Sequence, residues 1–521
     1  MFTEAMFLSN SVDFMRAVFS RRAIFRRARF AGDPLFMDAT FGYSDFSEAV
    51  FSGRVDFRRA KFSLGASFEA AKFTADASFN GATFRSGASF DTSIFSERAD
   101  FGASTIHGGT EMPGGGVLSD DEDIRGATFA ADAWFDEVKF SGATSFNGVV
   151  FSANATFERA VFEVASQLGP LVCRGVLALS GGRFVNPVTI EAATNRLVCR
   201  RTRWDATAAL RLRYATVDFS DAVFEYPLSI TAQAPPWRSE DALVGGYSGV
   251  QMASLRGADA SHLVLHNIDL TACTLSGTLR LDQLRLEGEC PLAPAPSGLR
   301  WRGPLPVRWT ARRTLAEEHH WRAAQGRTGW QEAPAGAEVV GPAVLAPVYR
   351  QLRQSFEDGK NEPDAADFYY GEMEMRRHDT KRPRAERTLL ALYWAVSGYG
   401  LRASRALGWL LVAMSATVLV MMLWGIPTGD PKPATTGRLT GQSISLTTDK
   451  PDPVNPTGSL RSRLTTERLE KSLRVVVNSV VFRSSGQDLT VTGTYAEMAS
   501  RLTEPVLLGL AALAIRGRVK R

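Results

Sequence analysis

The feature that most constrains this chain is the spacing of its phenylalanines. Between residues 14 and 101 a Phe recurs at steps that are mostly five and six residues, and the same rhythm returns between residues 129 and 162. Because the two steps mostly alternate, the combined apolar period is eleven residues. A small residue usually stands two positions before the ring, as at Ala66, Ala77 and Ala88. A regular repeat of this kind is stronger evidence about the fold than overall composition.

A single helix and a flat strand both fail to explain this spacing. At about 100° per residue, a step of five turns ~140° around a helix and a step of six turns ~240°, so successive rings would face nearly opposite sides. This argues against the supercoiled helix that an eleven-residue period otherwise indicates. In a flat strand, a step of five moves the side chain to the other face of the pleat. Both steps fit a chain that bends after each short segment, which predicts a coiled parallel β-helix.

In such a coil the rings point to one axis and stack into ladders. Successive coils pair their backbones at about 4.8 Å. No isolated repeat could bury the resulting core, so neighbouring coils must stack. The rings predicted to form the structural core of the central stretch are Phe57, Phe62, Phe68, Phe73, Phe79, Phe84, Phe90 and Phe95.

Residues 253–277 show a related but stricter pattern. They read as five units of five residues: Ala-Ser-Leu-Arg-Gly, Ala-Asp-Ala-Ser-His, Leu-Val-Leu-His-Asn, Ile-Asp-Leu-Thr-Ala and Cys-Thr-Leu-Ser-Gly. This stretch resembles the pentapeptide-repeat family, whose units carry a small residue, often a polar one next, and then Leu or Phe at the centre. The Phe-rich early part resembles a variant that adds one residue in alternate units. The resemblance implies a right-handed, quadrilateral β-helix in which four units close one square coil.

The repeat domain is expected to cover residues 1–286. Residues 166–250 keep weaker traces of the pattern and are interpreted as degenerate coils of the same solenoid. Two interruptions, residues 107–125 and residues 232–250, are interpreted as loops ejected from a corner. The first carries the acidic run 120–123, which is more typical of a solvated loop than of a ligand site.

Beyond the repeats, the composition predicts three further parts. Residues 287–343 contain many Pro, Gly and Arg together with four Trp, and a cap or linker fits that composition. Residues 344–403 are expected to form cytoplasmic helices. Residues 404–521 are expected to form a membrane module with two helices.

The first membrane helix is predicted at residues 406–426, which contain no charged side chain and are long enough to cross a bilayer core. A buried helix of a soluble protein is the alternative. Arginines at 384, 387, 402 and 405 precede this segment, which predicts the inner cell membrane with the repeats in the cytoplasm. The rest of the module is predicted as an external loop at 427–468, a pore-loop-like part at 469–500, and a second helix at about 501–516. For this last segment a re-entrant or interfacial placement is left open.

This order of segments resembles the two-helix pore-loop module of potassium channels, which some bacterial proteins attach to pentapeptide repeats. A potassium filter needs a contiguous run of the Thr-Val-Gly-Tyr-Gly type, so that successive carbonyls replace the ion's water. The residues of this chain that correspond to such a filter are Thr490, Val491, Thr492 and Gly493, and the run is interrupted. We therefore expect a module derived from a pore loop that does not conduct potassium.

Charge and motifs weigh against catalysis and nucleic-acid binding. Residues 1–165 hold 16 Lys or Arg and 22 Asp or Glu, a net of −6, and a rod of this charge repels phosphates. The chain has no Gly-rich phosphate loop, nucleophile elbow or paired His/Glu metal spacing. We expect no enzyme, no cofactor, and no catalytic or metal-binding residue. The four widely spaced Cys are expected to be small thiols in a reducing compartment.

Together these features predict a membrane-anchored scaffold or interaction protein at the cytoplasmic face. Its expected partners are the lipid bilayer and an unknown protein bound along the β-helix. One alternative is an ion channel with a degenerate filter, which would require a homo-oligomer. Another is an inhibitor that mimics DNA, although Arg21, Arg26 and Arg58 interrupt any acidic face of the rod.

Overall fold

A computed structural model divides the chain into two compact units, Met1–Glu372 and Met373–Arg521. The first unit contains a long β-solenoid, and the second is mainly helical. The structure describes residues 1–86, 88–107, 110–111, 127–142, 144–164, 166–237, 249–296, 299–302, 305–308, 311–427, 433–440, 443–449, 451–481 and 488–519.

The solenoid is a parallel sheet wound into about 11 turns. Most of its strands contain two residues, because the chain bends after each one. They are β1 (Met6–Phe7), β2 (Ser11–Asp13), β3 (Val18–Ile24), β4 (Arg29–Phe30), β5 (Asp33–Leu35), β6 (Thr40–Asp45), β7 (Val50–Phe51), β8 (Val55–Asp56), β9 (Lys61–Phe62), β10 (Ala66–Ser67), β11 (Lys72–Phe73), β12 (Ala77–Ser78), β13 (Thr83–Phe84), β14 (Ala88–Ser89), β15 (Ile94–Phe95), β16 (Ala99–Asp100), β17 (Thr105–Ile106), β18 (Thr110–Glu111), β19 (Thr128–Phe129), β20 (Ala133–Trp134), β21 (Lys139–Phe140), β22 (Thr144–Ser145), β23 (Val150–Phe151), β24 (Ala155–Thr156), β25 (Val161–Phe162), β26 (Ser166–Ala178), β27 (Arg183–Phe184), β28 (Val188–Val198), β29 (Arg203–Trp204), β30 (Ala208–Arg213), β31 (Thr216–Asp218), β32 (Val223–Phe224), β33 (Leu228–Ala232), β34 (Val250–Ser254), β35 (Leu263–His266), β36 (Ile268–Asp269) and β37 (Arg285–Glu287).

Four strands complete one turn of the central solenoid. Strand β10 pairs in parallel with β14, β11 with β15, β12 with β16 and β13 with β17. In register, Phe73 lies directly between Phe51 and Phe95, the corresponding rings of the two neighbouring turns. The parallel β-helix predicted from the Phe spacing is therefore confirmed, with a four-sided coil in this region.

The core of the solenoid consists of columns of stacked rings. In one column the Phe79 ring lies 5.0 Å from that of Phe57 and 4.8 Å from that of Phe101, in nearly parallel planes. Neighbouring columns meet edge to face, as Phe79 meets Phe68 at 5.4 Å and Phe90 at 5.5 Å. Both geometries suit the ring quadrupole. The central rings that are 0% exposed are Phe57, Phe62, Phe68, Phe73, Phe79, Phe84, Phe90 and Phe95.

Several corners place a residue other than Gly in the left-handed region of backbone conformation. Arg27, Glu48 and Arg59 have φ values of 58°, 58° and 54°. This conformation costs an L residue roughly 1–2 kcal/mol. Side chains at these corners pair with the neighbouring turn: Arg27 meets Glu48 and Arg59 meets Asp38, each at 2.9 Å. The pairs are exposed and contribute little stability one by one, but they balance charge along the corner.

The later turns replace the Phe columns with other apolar side chains. Trp204 continues one column by stacking 4.1 Å above Phe184, and Cys173 occupies the place of a ring in register with Phe151. In the five strict units, the central residue of each is buried: Leu255, Ala260, Leu265, Leu270 and Leu275. The same inward position therefore serves both repeat types.

The two predicted corner loops fall largely on residues whose placement is not described. Of residues 107–125, the segments 108–109 and 112–125, with the acidic run 120–123, lie outside the described residues. Of residues 232–250, the segment 238–248 does so. On either side of the first segment the solenoid keeps its register, because Phe95 pairs with Phe129 across it.

The rest of the first unit follows the last turn of the solenoid. It contains the antiparallel pair β38 (Ala293–Pro294) with β41 (Arg313–Thr314), and the hairpin β39 (Leu299–Arg302) with β40 (Leu305–Arg308). Its helices are α1 (Ala316–Ala324) and α2 (Pro342–Asp358), and α3 (Glu362–His378) contains the boundary between the two units.

Helices α1 and α2 close the C-terminal end of the solenoid. The Glu317 carboxylate accepts hydrogen bonds from the backbone N–H groups of Leu275 at 2.5 Å and Ser276 at 2.8 Å. From α2, the Ser355 hydroxyl donates to the Leu284 carbonyl at 2.6 Å. A strand edge without partners invites further strand pairing. These side chains satisfy part of that edge and so help to end the solenoid there.

A buried ionic cluster stabilises the same region. The Glu318 carboxylate is fully buried and accepts hydrogen bonds from Arg312 at 2.5 Å, from Arg322 at 2.6 Å and from the Tyr349 hydroxyl. The two guanidinium groups hold the pKa of Glu318 well below its usual range, despite the opposing effect of burial. Buried charges without such partners are strongly destabilising, so the cluster requires all of its members.

The second unit contains helices α4 (Arg384–Ser397), α5 (Ala403–Val420), α6 (Thr466–Val481) and α7 (Val491–Val519). Helix α5 continues as a π-helical turn, Met421–Gly425, where the Ile426 N–H reaches the Met421 carbonyl at 3.0 Å. Between α5 and α6 lies the hairpin β42 (Ala434–Thr440) with β43 (Ser443–Asp449).

Candidate functional site: an apolar helix pair

Two segments of the second unit are long and apolar enough to cross a membrane. They are Ala403–Gly425 and Val491–Ile515, and only 22% of each is buried within the protein. The core helix of a soluble protein would bury its apolar side chains. Here large ones are exposed along both segments, namely Leu411, Val412, Leu419, Leu502, Val506, Leu508 and Leu513. An apolar surface of this extent is typical of contact with lipid or protein.

The two segments pack against each other in antiparallel directions. The end of the first meets the start of the second, because a Cβ added at Gly493 would lie 2.5 Å from the Gly425 carbonyl oxygen. Further along, the Thr417 hydroxyl donates a hydrogen bond of 2.9 Å to the fully buried Glu504 carboxyl group. Small residues that let backbones approach, and polar contacts between helices, are the usual devices of membrane helix packing.

The end of the first segment is held by arginines from the chain that follows it. The Arg468 guanidinium donates to the carbonyls of Met422 at 3.0 Å and Ile426 at 2.6 Å. Arg463 donates to the Leu423 carbonyl at 2.9 Å. The last carbonyls of a helix have no partner within it, and a positive charge at this end also complements the helix dipole. The two arginines therefore fix the turn that ends the helix.

Thr490 completes this arrangement from the other side. Its hydroxyl lies 2.6 Å from the Trp424 carbonyl and also accepts a hydrogen bond from the Gly493 N–H at 3.2 Å. The second contact is that of an N-cap residue, since α7 begins at Val491. One side chain thus links the end of one apolar segment to the start of the other.

The residues predicted to resemble a channel filter therefore have a different environment in the structure. Thr490 is the buried cap just described, and Val491, Thr492 and Gly493 form the first turn of α7. The second helix begins ten residues before its predicted start at about 501, and part of the predicted pore-loop-like segment is the helix α6. A filter presents successive carbonyls to an ion, whereas helix formation engages those carbonyls within the helix.

The solenoid presents a different kind of surface. Its exposed charges pair between successive turns, as Arg159 meets Glu137 at 2.9 Å and Lys139 meets Glu163 at 2.9 Å. Among the described residues, no group of three or more His, Cys, Asp or Glu is placed to hold a metal ion. The side of the rod is therefore a regular surface of mixed charge.

Comparison with known families identifies the repeat. A family model described as pentapeptide repeats (9 copies) matches residues 46–94 and 124–166. These two stretches of the solenoid are pentapeptide repeats. No curated protein and no solved structure matches the chain. Pentapeptide-repeat solenoids are typically non-catalytic.

The four thiols lie in the later turns of the solenoid or just after them, where burial limits their contact with solvent. Cys173, Cys199 and Cys273 are buried, and Cys290 is half-buried. Burial raises the pKa of Cys173 to about 11 and raises the pKa of the other three thiols as well. Since the thiolate is the reactive form, these groups are poor nucleophiles in the folded chain.

Some of the residues that organise this molecule were not found from the sequence. Glu317 and Glu318 lie in a helix within a region expected only to be a cap or linker, and Arg468 lies in the predicted external loop. The adjacent acidic pair, followed by Arg322 one turn later, was an available signal for a helix start. No local pattern indicates that Arg468 meets carbonyls more than forty residues earlier.

Proposed function

We propose that this protein is a membrane-anchored pentapeptide-repeat scaffold, with its solenoid on the cytoplasmic side of the cell membrane. The observation that carries the proposal is the exposed apolar surface of Ala403–Gly425 and Val491–Ile515, which pair with each other and still leave most of their side chains uncovered. Water would oppose such exposure, whereas a bilayer would accept it.

The orientation is supported by charge next to the first apolar segment. Arg384, Arg387, Arg402 and Arg405 precede or begin that segment. Positive residues of short flanking segments are retained in the cytoplasm. The solenoid precedes these arginines in the chain, which supports a position on the same side.

The scaffold role is supported by the form of the solenoid. Repeat solenoids bind proteins along extended, regular surfaces. Here the outer side chains carry paired charges, and the core behind them is rigidly stacked. A protein partner bound along this rod would be held close to the membrane.

Membrane insertion is tested by washing isolated membranes with alkaline carbonate and floating them on a density gradient. The full chain is expected to stay with the lipid, and a version ending at Glu372, the boundary of the first unit, is expected to be released. Release of the full chain would overturn the proposal.

Orientation is tested by labelling intact cells with a maleimide that does not cross membranes. Thr448→Cys in the exposed hairpin should react, and Leu64→Cys on the solenoid should react only after permeabilisation. The shielded native thiols keep the background low. Labelling of Leu64→Cys in intact cells would refute the cytoplasmic placement.

An ion channel is the second candidate, and one observation favours it. Helix α6 lies between the two apolar segments in sequence and contacts both α5 and α7, an arrangement that a simple anchor does not need. Two helices per chain would form a pore only in a homo-oligomer. Currents recorded in potassium and in sodium after reconstitution into a planar bilayer decide the matter: reproducible selective current would replace the anchor with a channel.

A further inference from the structure

Helix α4, which comes just before the first apolar segment, has an apolar face that the protein leaves uncovered. Leu389 is 67% exposed and Leu392 is 59% exposed. Ala385 and Thr388 are also exposed and lie on the same side, at the spacing of successive helical turns. On the other side of the helix, Arg387, Ala391 and Trp394 are only partly exposed, and Ser397 at its end is fully buried. Helix α4 is thus amphipathic, and no residue of the described part of the chain covers Leu389 and Leu392.

The position of α4 relative to α5 is fixed by two aromatic residues. The Trp409 indole N–H donates to the Ala395 carbonyl at 3.1 Å. Two guanidinium groups contact the Trp394 ring, with Arg377 at 4.4 Å and Arg405 at 4.8 Å from its centroid. Arg405 also donates to the Trp394 carbonyl at 2.9 Å. Because these contacts join the end of α4 to the first turns of α5, the two helices cannot move apart freely.

If α5 crosses the bilayer, Trp409 also indicates the depth at which the end of α4 meets α5. Trp409 is 49% exposed, and Trp424, fifteen residues later, is 41% exposed. At 1.5 Å per residue the two indoles are about 22 Å apart along the helix. Tryptophans are enriched at the two boundaries of a bilayer. The hydrogen bond from Trp409 therefore places the end of α4 at the membrane boundary.

Charge around α4 complements an anionic surface. Residues 379–405 contain six basic and two acidic side chains, a net of +4. Both acidic groups are engaged by neighbours, as Asp379 and Glu386 each pair with Arg382. In the described part of the chain neither Lys381 nor Arg384 has an acidic partner, and both are exposed. Two cations therefore remain free beside the apolar face.

From these placements we propose that α4 is an interfacial helix that lies in the headgroup region of the bilayer and binds anionic lipid through Lys381 and Arg384. The inference rests on the proposed membrane anchor and adds a lipid preference to it. A basic helix with Leu on one face and fixed at the boundary of a span matches the known physics of surface-lying helices. A second copy of the chain on this face of α4 would bring two segments of the same net positive charge together, which disfavours self-association there.

Depth is tested with bimane attached to single cysteines in a Cys290→Ser background, after reconstitution of the full chain into vesicles. The labelled variants are Leu392→Cys in α4, Leu411→Cys in α5, and Leu64→Cys on the solenoid. Lipids brominated near the headgroup should quench residue 392 most strongly, and lipids brominated deep in the acyl chain should quench residue 411. Residue 64 should be quenched only by aqueous iodide.

Lipid preference is tested in equimolar vesicles of phosphatidylglycerol and phosphatidylcholine, with one or the other brominated. Bimane at residue 392 should be quenched more by brominated phosphatidylglycerol. Each basic residue near an anionic surface shifts binding by about fivefold, so Lys381→Gln with Arg384→Gln should abolish the difference. The control removes two cations from α6, the half-buried Lys471 and the exposed Arg474, as Lys471→Gln with Arg474→Gln, and should preserve the difference.

The outcomes separate the two proposals. If residue 411 is not quenched by lipid, the membrane anchor itself is wrong. If residue 411 is quenched but residue 392 is reached only by aqueous iodide, the anchor stands and the interfacial helix is wrong. Equal quenching of residue 392 by both lipid types in the parent chain would overturn the preference for anionic lipid.

Discussion

Replacing Phe79 with Ala is the sharpest perturbation of the solenoid. The ring is completely buried and stacks between Phe57 and Phe101, and it meets Phe68 and Phe90 edge to face. The substitution therefore removes contacts to two neighbouring turns and to two rings of a neighbouring column at once. The backbone around it is hydrogen-bonded to the turns above and below, so the cavity cannot close by collapse.

The expected cost follows from these contacts. Truncation of a core Phe to Ala costs about 3–5 kcal/mol, and the cost is largest where the site cannot collapse. A comparison position exists at Phe7, in the first turn, which is only half-buried and stacks on one side, 4.6 Å from Phe30. Phe7→Ala should cost about half as much. Ser78→Ala changes a half-buried side chain next to Phe79 and should stay within about 0.5 kcal/mol.

The assay is thermal unfolding of the full chain in detergent, followed by far-ultraviolet circular dichroism. In domains of this size each kcal/mol lowers the midpoint by about 2 °C or slightly more. Phe79→Ala should therefore lower it by roughly 6–10 °C, and Ser78→Ala by less than about 1 °C. Equal shifts for Phe79→Ala and Ser78→Ala would refute the stacked-ring core. A larger loss for Phe7→Ala than for Phe79→Ala would refute the idea that each ring is held by two neighbouring turns.

Three further predictions concern the rest of the chain. Because folding lowers the pKa of Glu318, ionised Glu318 stabilises the folded state above the ordinary pKa of 4.5, and this stabilisation is lost as the pH falls below it. In Glu318→Gln the free energy of unfolding should therefore fall less steeply between about pH 5 and 2, as measured by unfolding titrations. Gly493→Ala should lower the thermal stability of the helix pair in detergent, whereas Gly509→Ala, with open space around it, should not. Mass spectrometry after alkylation at pH 8 should find Cys173 modified only in denatured protein.

Local spacing was enough to predict the solenoid. Alternating steps of five and six place every ring inward only if the chain bends after each segment, and the stacked columns around Phe79 follow from that rule. The first apolar segment was also accessible, since the length of residues 406–426 and their lack of charge are properties of the sequence alone. In both cases the deciding information lies within a few neighbouring residues.

The position of the second apolar helix required the tertiary structure. Residues 491–500 fall in the predicted pore-loop-like part, but in the structure Thr490 caps the helix and Gly493 admits the backbone of Gly425. The cap is local, but the close approach of Gly493 depends on a segment more than sixty residues earlier. Local propensity is weaker than such packing, so the sequence alone placed the helix start too late.

The pairing of distant side chains was likewise decided only by the folded chain. The sequence by itself determined that Glu317, Glu318 and Arg468 are charged, but not which groups they meet. Their partners are backbone N–H groups of the last solenoid turns, two buried guanidinium groups, and the carbonyls at the end of a helix. Such contacts form because unpaired polar groups are costly to bury, and that cost arises only once folding has excluded the water.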